Sequence, residues 1–420
     1  MVKKLWIDVT MLVNWSGKMT GIQRVEYNLA KRFALKDNVR FFVFDKGNNI
    51  LIDFDFKHIE YKINTQQDQS AYQQAVVSTE LSGLARIRHS AILDPVRPLY
   101  NRLKPIAKTS LHKLRNINAE PQKSAEILAG DTVLILSGDW SDDSFVNLML
   151  EKKEIHNFHM IQIVYDMLPA LYPGYFVKGM PEQFASYMKR ILPNSDKVLA
   201  ISESTKRDIV EFGKRNSLKK LSVDVFRLGD DFVESSAAKP DFIKGDFILT
   251  VGTFEARKNH QLIYYAYREA MNRGIDLPPV VVAGKKGWLI EDLFYLITND
   301  PIISKKFIFV QPTDKELAWL YKNCLFTLFP SFYEGWGLPV AETLFNGKLC
   351  LSSNSSSMPE IAGDLIDYYS PNDPEGLLEK IVLYLENPEL LKSKEDAIKA
   401  QYKPTSWDGS YNTVEKSVSL

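Results

Sequence analysis

Of the 420 residues only two are cysteine, Cys324 and Cys350. Both lie in apolar stretches, so no disulfide framework exists and a reducing, cytoplasmic compartment fits. An excess of one charge is also missing: 52 Lys and Arg balance 52 Asp and Glu. No overall field therefore draws the chain to nucleic acid, and any attraction to a membrane must be local. No stretch approaches the roughly 18 uninterrupted apolar residues of a spanning helix. The opening MVKKLWIDVTMLVNW is broken by Asp8 and lacks a small-residue cleavage site, so it reads as a first strand rather than a leader. No G-x-G-x-x-G follows that strand and no G-x-x-x-x-G-K-[ST] occurs, which argues against the common dinucleotide and phosphate-loop folds. Short-period repeats and low-complexity tracts are absent as well.

What is present is the composition of an ordinary globular protein, 45% hydrophobic and 25% charged, long enough for two cores with a cleft between them. Short β-rich runs alternate with helical patterns, the mark of parallel α/β sheets. KLWIDVT, VRFFVFD, DTVLILS, HMIQIVYD and KVLAIS read as strands of a first domain over residues 1–235. Between the first two, GIQRVEYNLAKRFAL places Ile22, Val25, Leu29, Ala30 and Phe33 on one helical face. SSAAKPDFIKGD reads as a linker, and FILTVG, PVVVAG, KFIFVQ and CLFTLFPS as strands of a second doubly wound domain over 236–400. The segment 401–420 looks helical with no strand after it, and is expected to return to the first domain.

One region departs from this alternation. Residues 82–118 carry Arg86, Arg88, Arg97, Arg102, Lys104, Lys108, Lys113 and Arg115 against Asp94, interleaved with apolar residues. Such a segment suits peripheral contact with an anionic membrane, at about 1 kcal/mol per basic residue. A solvated helical insertion packed on its own domain explains it equally well.

Ligands of open parallel sheets bind beyond the carboxyl ends of the strands. After FILTVG, which ends at Gly252, Arg257 and Lys258 occupy a strand-to-helix loop with Asn259 as the expected N-cap; two cations beside a helix N-terminus suit a diphosphate. After CLFTLFPS comes FYEGWGLPVAETL. There Gly335 and Gly337 allow a close backbone approach, Leu338 and Pro339 open a helix, and Glu334 and Glu342 offer acceptors for sugar and ribose hydroxyls. The glycines could instead be turn residues, and Glu342 a complement to the helix dipole. Gly284 and Lys285 follow PVVVAG. The serine-rich loop 352–357 leads through Pro359 and Glu360 into another helix start. In the first half, Asp166 lies just past a strand, as an acceptor-hydroxyl partner or a loop anchor, while Gly21 offers amides from the opposite side of the cleft and Gln23 and Arg24 could reach inward.

FILTVGTFEARKNH, VVAGKKGW, FPSFYEGWGLPVAETL and SSSMPEIAGD, in that order and spacing, resemble the retaining family 4 glycosyltransferases of GT-B fold, in particular bacterial O-antigen and capsule mannosyltransferases and rhamnosyltransferases. The resemblance is dense over 245–376 and thinner at TGIQRVEYNL, YDMLPALYP and LAISESTKRDI. It implies two Rossmann-like domains facing across a cleft, with no metal. By the resemblance, Glu334 faces the donor sugar, Glu342 the ribose, and Arg257 and Lys258 the departing diphosphate. Members often carry His-Asp where this chain has Tyr165 and Asp166, so the histidine's role does not carry over.

The expectation is transfer of a sugar, mannose from GDP-mannose first, from a nucleoside diphosphate sugar to a hydroxyl of a lipid-linked glycan in surface polysaccharide synthesis, at the inner face of the cytoplasmic membrane. Rhamnose or another hexose is the nearest alternative. A metal-dependent transferase would use Asp53 and Asp55 of LIDFDF, far in sequence from every glycine and cation loop. A non-catalytic glycan- or lipid-binding subunit is the rival from another class.

Overall fold

A computed structural model describes residues 3–15, 19, 21–63, 123–219, 221–231 and 236–418. The basic region 82–118 lies outside these described residues. The chain forms two α/β domains. The first has a seven-stranded sheet of β1 (Leu5–Asp8), β2 (Val39–Asp45), β3 (Ile50–Phe54), β4 (Thr132–Ile135), β5 (His159–Val164), β6 (Lys197–Ala200) and β7 (Val223–Val225). Its order is β3-β2-β1-β4-β5-β6-β7, and every pairing is parallel except β2 with β3. The second has a six-stranded parallel sheet of β8 (Ile248–Val251), β9 (Val280–Ala283), β10 (Phe307–Val310), β11 (Thr327–Phe329), β12 (Cys350–Ser353) and β13 (Asp367–Tyr369), in the order β10-β9-β8-β11-β12-β13.

The central strands are buried on both faces, as LWID, TVLI and VVVA show, which is why they read as continuous apolar runs. Three edge or near-edge strands escape such a reading. β3 carries Asp53, while β7 and β13 are three residues each and half exposed. In each sheet the strand order reverses once, between β1 and β4 and between β8 and β11. Helices leave in opposite directions there, so a crevice opens at the carboxyl ends of those strands.

The helix Gly21–Phe33 buries Val25, Leu29, Ala30 and Phe33. Ile22 departs from the expected face: it is 37% exposed. Gln23 and Glu26 are buried in its place, because the first turns of this helix meet polar groups beyond the strand ends, among them Ser137, whose hydroxyl donates to Glu26. The helix Trp407–Val418 packs along the same helix, with Phe33 and Tyr411 in edge contact at 4.7 Å and Arg32 paired to Asp408 at 2.6 Å. The crossing is held by Asp230, whose amide donates to the Thr405 carbonyl at 2.9 Å. Apolar packing is continuous from these helices into the second domain.

Asp131 pins the opening of the first sheet. Its buried carboxylate accepts from the Lys4 amide at 2.8 Å, the Trp6 indole at 3.1 Å and the Leu128 amide at 3.0 Å. Asp131→Ala leaves these buried donors without that partner and is expected to lower unfolding stability by about 2–4 kcal/mol, read from denaturant midpoints at unchanged slope.

Candidate functional site

Both reversal points face each other across the cleft. From the second domain, the loop after β8 makes a single 3-10 turn, Ala256–Lys258, before the helix His260–Asn272. Asn259 sits at the N-cap position but does not cap. Its backbone is left-handed (φ 55°), and its side-chain amide donates instead to the carbonyls of Pro330 and Pro371, at 3.0 and 2.8 Å. That tie binds the β8 loop to the loops after β11 and β13, and so sets Arg257 and Lys258 beside Glu334. Glu334 takes an ion pair from each at 2.6 Å. Arg257 also pairs with Glu255 at 2.7 Å and donates to the Tyr333 carbonyl at 3.0 Å. Burial alone would raise the Glu334 carboxyl; the two cations outweigh it and hold the group at about 2. The Arg257 guanidinium is raised by Glu334, Glu255 and Asp166 against its own desolvation.

The serine-rich loop after β12 holds the Glu334 backbone. The Glu334 amide donates to Ser356 at 2.9 Å, and Ser357 donates to the Glu334 carbonyl at 3.1 Å. Gly335 meets the first domain directly. A Cβ there would lie 1.9 Å from the Tyr165 carbonyl oxygen, so only glycine fits. The Gly335 carbonyl accepts from Ser202 at 2.7 Å and from Thr205 at 3.3 Å across the cleft. Gly337 and Leu338 open the next helix, and Gly21 approaches the Leu338 side chain from the opposite domain.

Asp166 stands near Arg257, with its carboxylate accepting from the Leu168 amide at 3.0 Å. Desolvation raises its pKa despite the opposing field of Arg257. Arg257, Lys258, Glu334, Gly335 and Asp166 thus meet in one place. Glu342 lies apart from them, in the helix Leu338–Phe345, where it pairs with Arg24 and Tyr321.

The loop after β9 does something else. Gly284 is glycine because a Cβ would sit 1.9 Å from the Gly252 carbonyl, and Lys285 reaches over the Trp15 ring at 5.5 Å. Gly252 packs against the Lys258 stem. Asp53 lies on β3, paired antiparallel at the edge of the first sheet, with Asp55 just beyond it.

Several contributors carry no local signal in the sequence. Glu360 accepts from the amides of Glu203 and Ser204, at 2.8 and 2.7 Å, and so caps the helix Glu203–Arg215 from the other domain. Tyr333 donates to Asp208 at 2.9 Å, and its ring meets Tyr172 at 4.9 Å. Both contacts are tertiary. Two buried carboxyls, Asp8 and Glu26, lie with Ser137 and Tyr165 at the ends of β1, β4 and β5 and on the helix Gly21–Phe33.

With the geometry in hand, kinship can be stated. Residues 234–403 match the family model of the Glycosyl transferases group 1. That stretch of the chain is similar to a group 1 glycosyltransferase domain. Over 227 residues it is 27% identical to the serotype-specific mannosyltransferase WbdA of Escherichia coli, covering 51% of this chain and 28% of that protein. Over 246 residues it is 25% identical to the O-antigen chain mannosyltransferase B of Escherichia coli, covering 56% and 64%. The matches therefore span less than two thirds of either relative. In structure, the chain is similar to HepE of Anabaena, solved in complex with UDP-glucose, with a TM-score of 0.60 at 13% identity and 99% of each chain covered. The architecture is the GT-B fold, with the matched family domain in its second half. Among the described residues no helix is long and apolar enough to cross a membrane.

The buried acids make a pH prediction. Desolvation raises Glu26 from 4.5 to about 8 and Asp8 from 3.8 to about 6. The folded state thus holds these protons more tightly than the unfolded chain, so their stabilising share is full below pH 4 and is lost as pH rises through 6 for Asp8 and 8 for Glu26. Glu26→Gln removes the larger loss and is expected to be more stable than the unchanged protein at pH 8.5 by about 1–3 kcal/mol, with little difference at pH 5. Thermal melts at the two pH values measure it; equal pH slopes for both proteins count against a raised Glu26.

Proposed function

We propose that the protein is a retaining, metal-independent hexosyltransferase. It moves a sugar from a nucleoside diphosphate sugar, GDP-mannose before others, to a hydroxyl of a lipid-linked glycan in the synthesis of a cell-surface polysaccharide. The observation that carries the reading is the convergence of Arg257, Lys258 and Glu334 at the β8/β11 crevice, facing Asp166 across the cleft. The mannosyltransferase names of WbdA and the O-antigen chain enzyme support the choice of sugar.

Cleavage of the bond between sugar and diphosphate develops positive charge at the anomeric carbon and negative charge on the leaving oxygen. Arg257 and Lys258 stabilise the latter, at roughly 3–4 kcal/mol for a well-placed donor. Each has donors beyond those used on Glu334, so the carboxylate aligns the cations without consuming them. Glu334 is ionised at neutral pH and can accept hydroxyls of the transferred sugar. In a front-face path the departing phosphate accepts the proton of the incoming hydroxyl, so retention requires no enzyme nucleophile. Asp166, whose pKa burial raises, lies near Arg257 and can accept from an incoming hydroxyl in this reading. The cross-domain hydrogen bonds at Gly335 and Glu360 tie the two domains together beside this site.

Release of nucleoside diphosphate from GDP-mannose by the purified chain, with a glycan acceptor and in the presence of chelator, tests the reading. Arg257→Ala is expected to lower turnover at least about tenfold, some 1.4 kcal/mol of transition-state stabilisation, while the thermal melt still shows a folded protein. Unchanged turnover removes Arg257 from the site. Failure of the unchanged protein to release nucleotide from any sugar donor in a panel favours a glycan-binding subunit instead.

A further inference from the structure

Glu342, apart from the cluster at Arg257 and Glu334, is a carboxylate of the second domain that the first domain grips. It is 3% exposed. One oxygen takes the Arg24 guanidinium at 2.6 Å, and the other accepts from the Tyr321 hydroxyl at 2.6 Å. Arg24 comes from the first turns of the helix Gly21–Phe33 in the first domain, Tyr321 from the helix Asp314–Asn323 in the second. Each oxygen keeps a second lone pair, but at this burial the carboxylate is closed to a diol unless one of the side chains over it withdraws. Tyr321 is fully buried within its own domain. The Arg24 side chain is 27% exposed and long enough to swing. Arg24 is therefore the donor that gives way.

We propose that Arg24 gates Glu342 and thereby sets how strongly the protein reads the vicinal hydroxyls of a nucleoside's ribose. The proposal rests on the reading of this cleft as a nucleotide-sugar site and deepens it. A ribose diol that donates to Glu342 replaces the hydrogen bonds of Arg24, so the gain from the diol is reduced by the cost of opening the ion pair. Because the pair joins the two domains, opening it also loosens the cleft on the ribose side. Removing Arg24 leaves Glu342 short of one donor. The diol then fills that shortage, and its worth rises.

The decisive quantity is the ratio of dissociation constants for a nucleoside diphosphate lacking the ribose 2′- and 3′-hydroxyls and for its parent. Any loss of general attraction between Arg24 and the diphosphate cancels in that ratio. Calorimetric titration of GDP, UDP, ADP and CDP, each against its 2′,3′-dideoxy form, measures it for the unchanged protein, Arg24→Ala, Arg24→Lys and Glu342→Gln. Arg24→Ala is expected to raise the ratio by about three- to tenfold, Arg24→Lys by less, and Glu342→Gln to bring it close to one. If Arg24→Ala leaves the ratio unchanged or lowers it while Glu342→Gln still abolishes it, the gate is refuted and the ribose reading stands. A ratio of one both in the unchanged protein and in Arg24→Ala refutes the assignment of Glu342 to ribose, and the gate with it. No binding of any of the four nucleotides refutes the donor-site reading itself.

Discussion

A carboxylate buried between two cations organises the second domain's side of the cleft. Glu334 could not remain ionised at so covered a position without Arg257 and Lys258, and the two cations would repel each other without Glu334. The three groups come from loops after different strands, β8 and β11, which are neighbours in the sheet although separated in sequence by β9 and β10. Asn259 and the serine-rich loop then fix the backbone beneath the charges, so the constellation is set before any ligand arrives. Preorganisation of this kind is what lets fixed charges act on a transition state without reorganising first.

The same loop joins the halves of the molecule. Gly335 lies against the Tyr165 carbonyl, and its own carbonyl accepts from Ser202 and Thr205. Glu360 supplies the N-terminal cap of a helix in the other domain, using its charge where the helix dipole favours an anion. Closure of the cleft and placement of the charged loop therefore depend on one set of contacts. A domain movement that broke them would also free the backbone that carries Glu334.

The legibility of the sequence follows the range of each interaction. Strand runs and the glycine and cation loops after them are local, so β8, β9 and β11 and the positions of Arg257, Lys258 and Glu334 could be read from pattern. The short edge strands β7 and β13 carry too few residues for a period to show. Gly284 illustrates the opposite case: its loop looks like a phosphate cradle, yet the glycine is required by the Gly252 carbonyl packed against it. Asn259 shows a third case, in which a residue type favoured at helix caps takes the cap position but spends its side chain on two distant carbonyls. The pairing of Arg24 with Glu342 spans 318 positions and two domains, and nothing in either local stretch announces it.

Position 165 shows how such a tertiary setting changes the meaning of a residue. The Tyr165 hydroxyl is buried beside Ser137 and Glu26 rather than offered to the cleft. Burial, with Glu26 and Asp8 nearby, pushes that phenol well above its ordinary value. What the residue presents to the cleft is its carbonyl, which accepts from Thr205 at 3.3 Å and fills the space that Gly335 leaves open. The next residue along, Asp166, keeps its carboxylate at the strand end, oriented by its bond to the Leu168 amide.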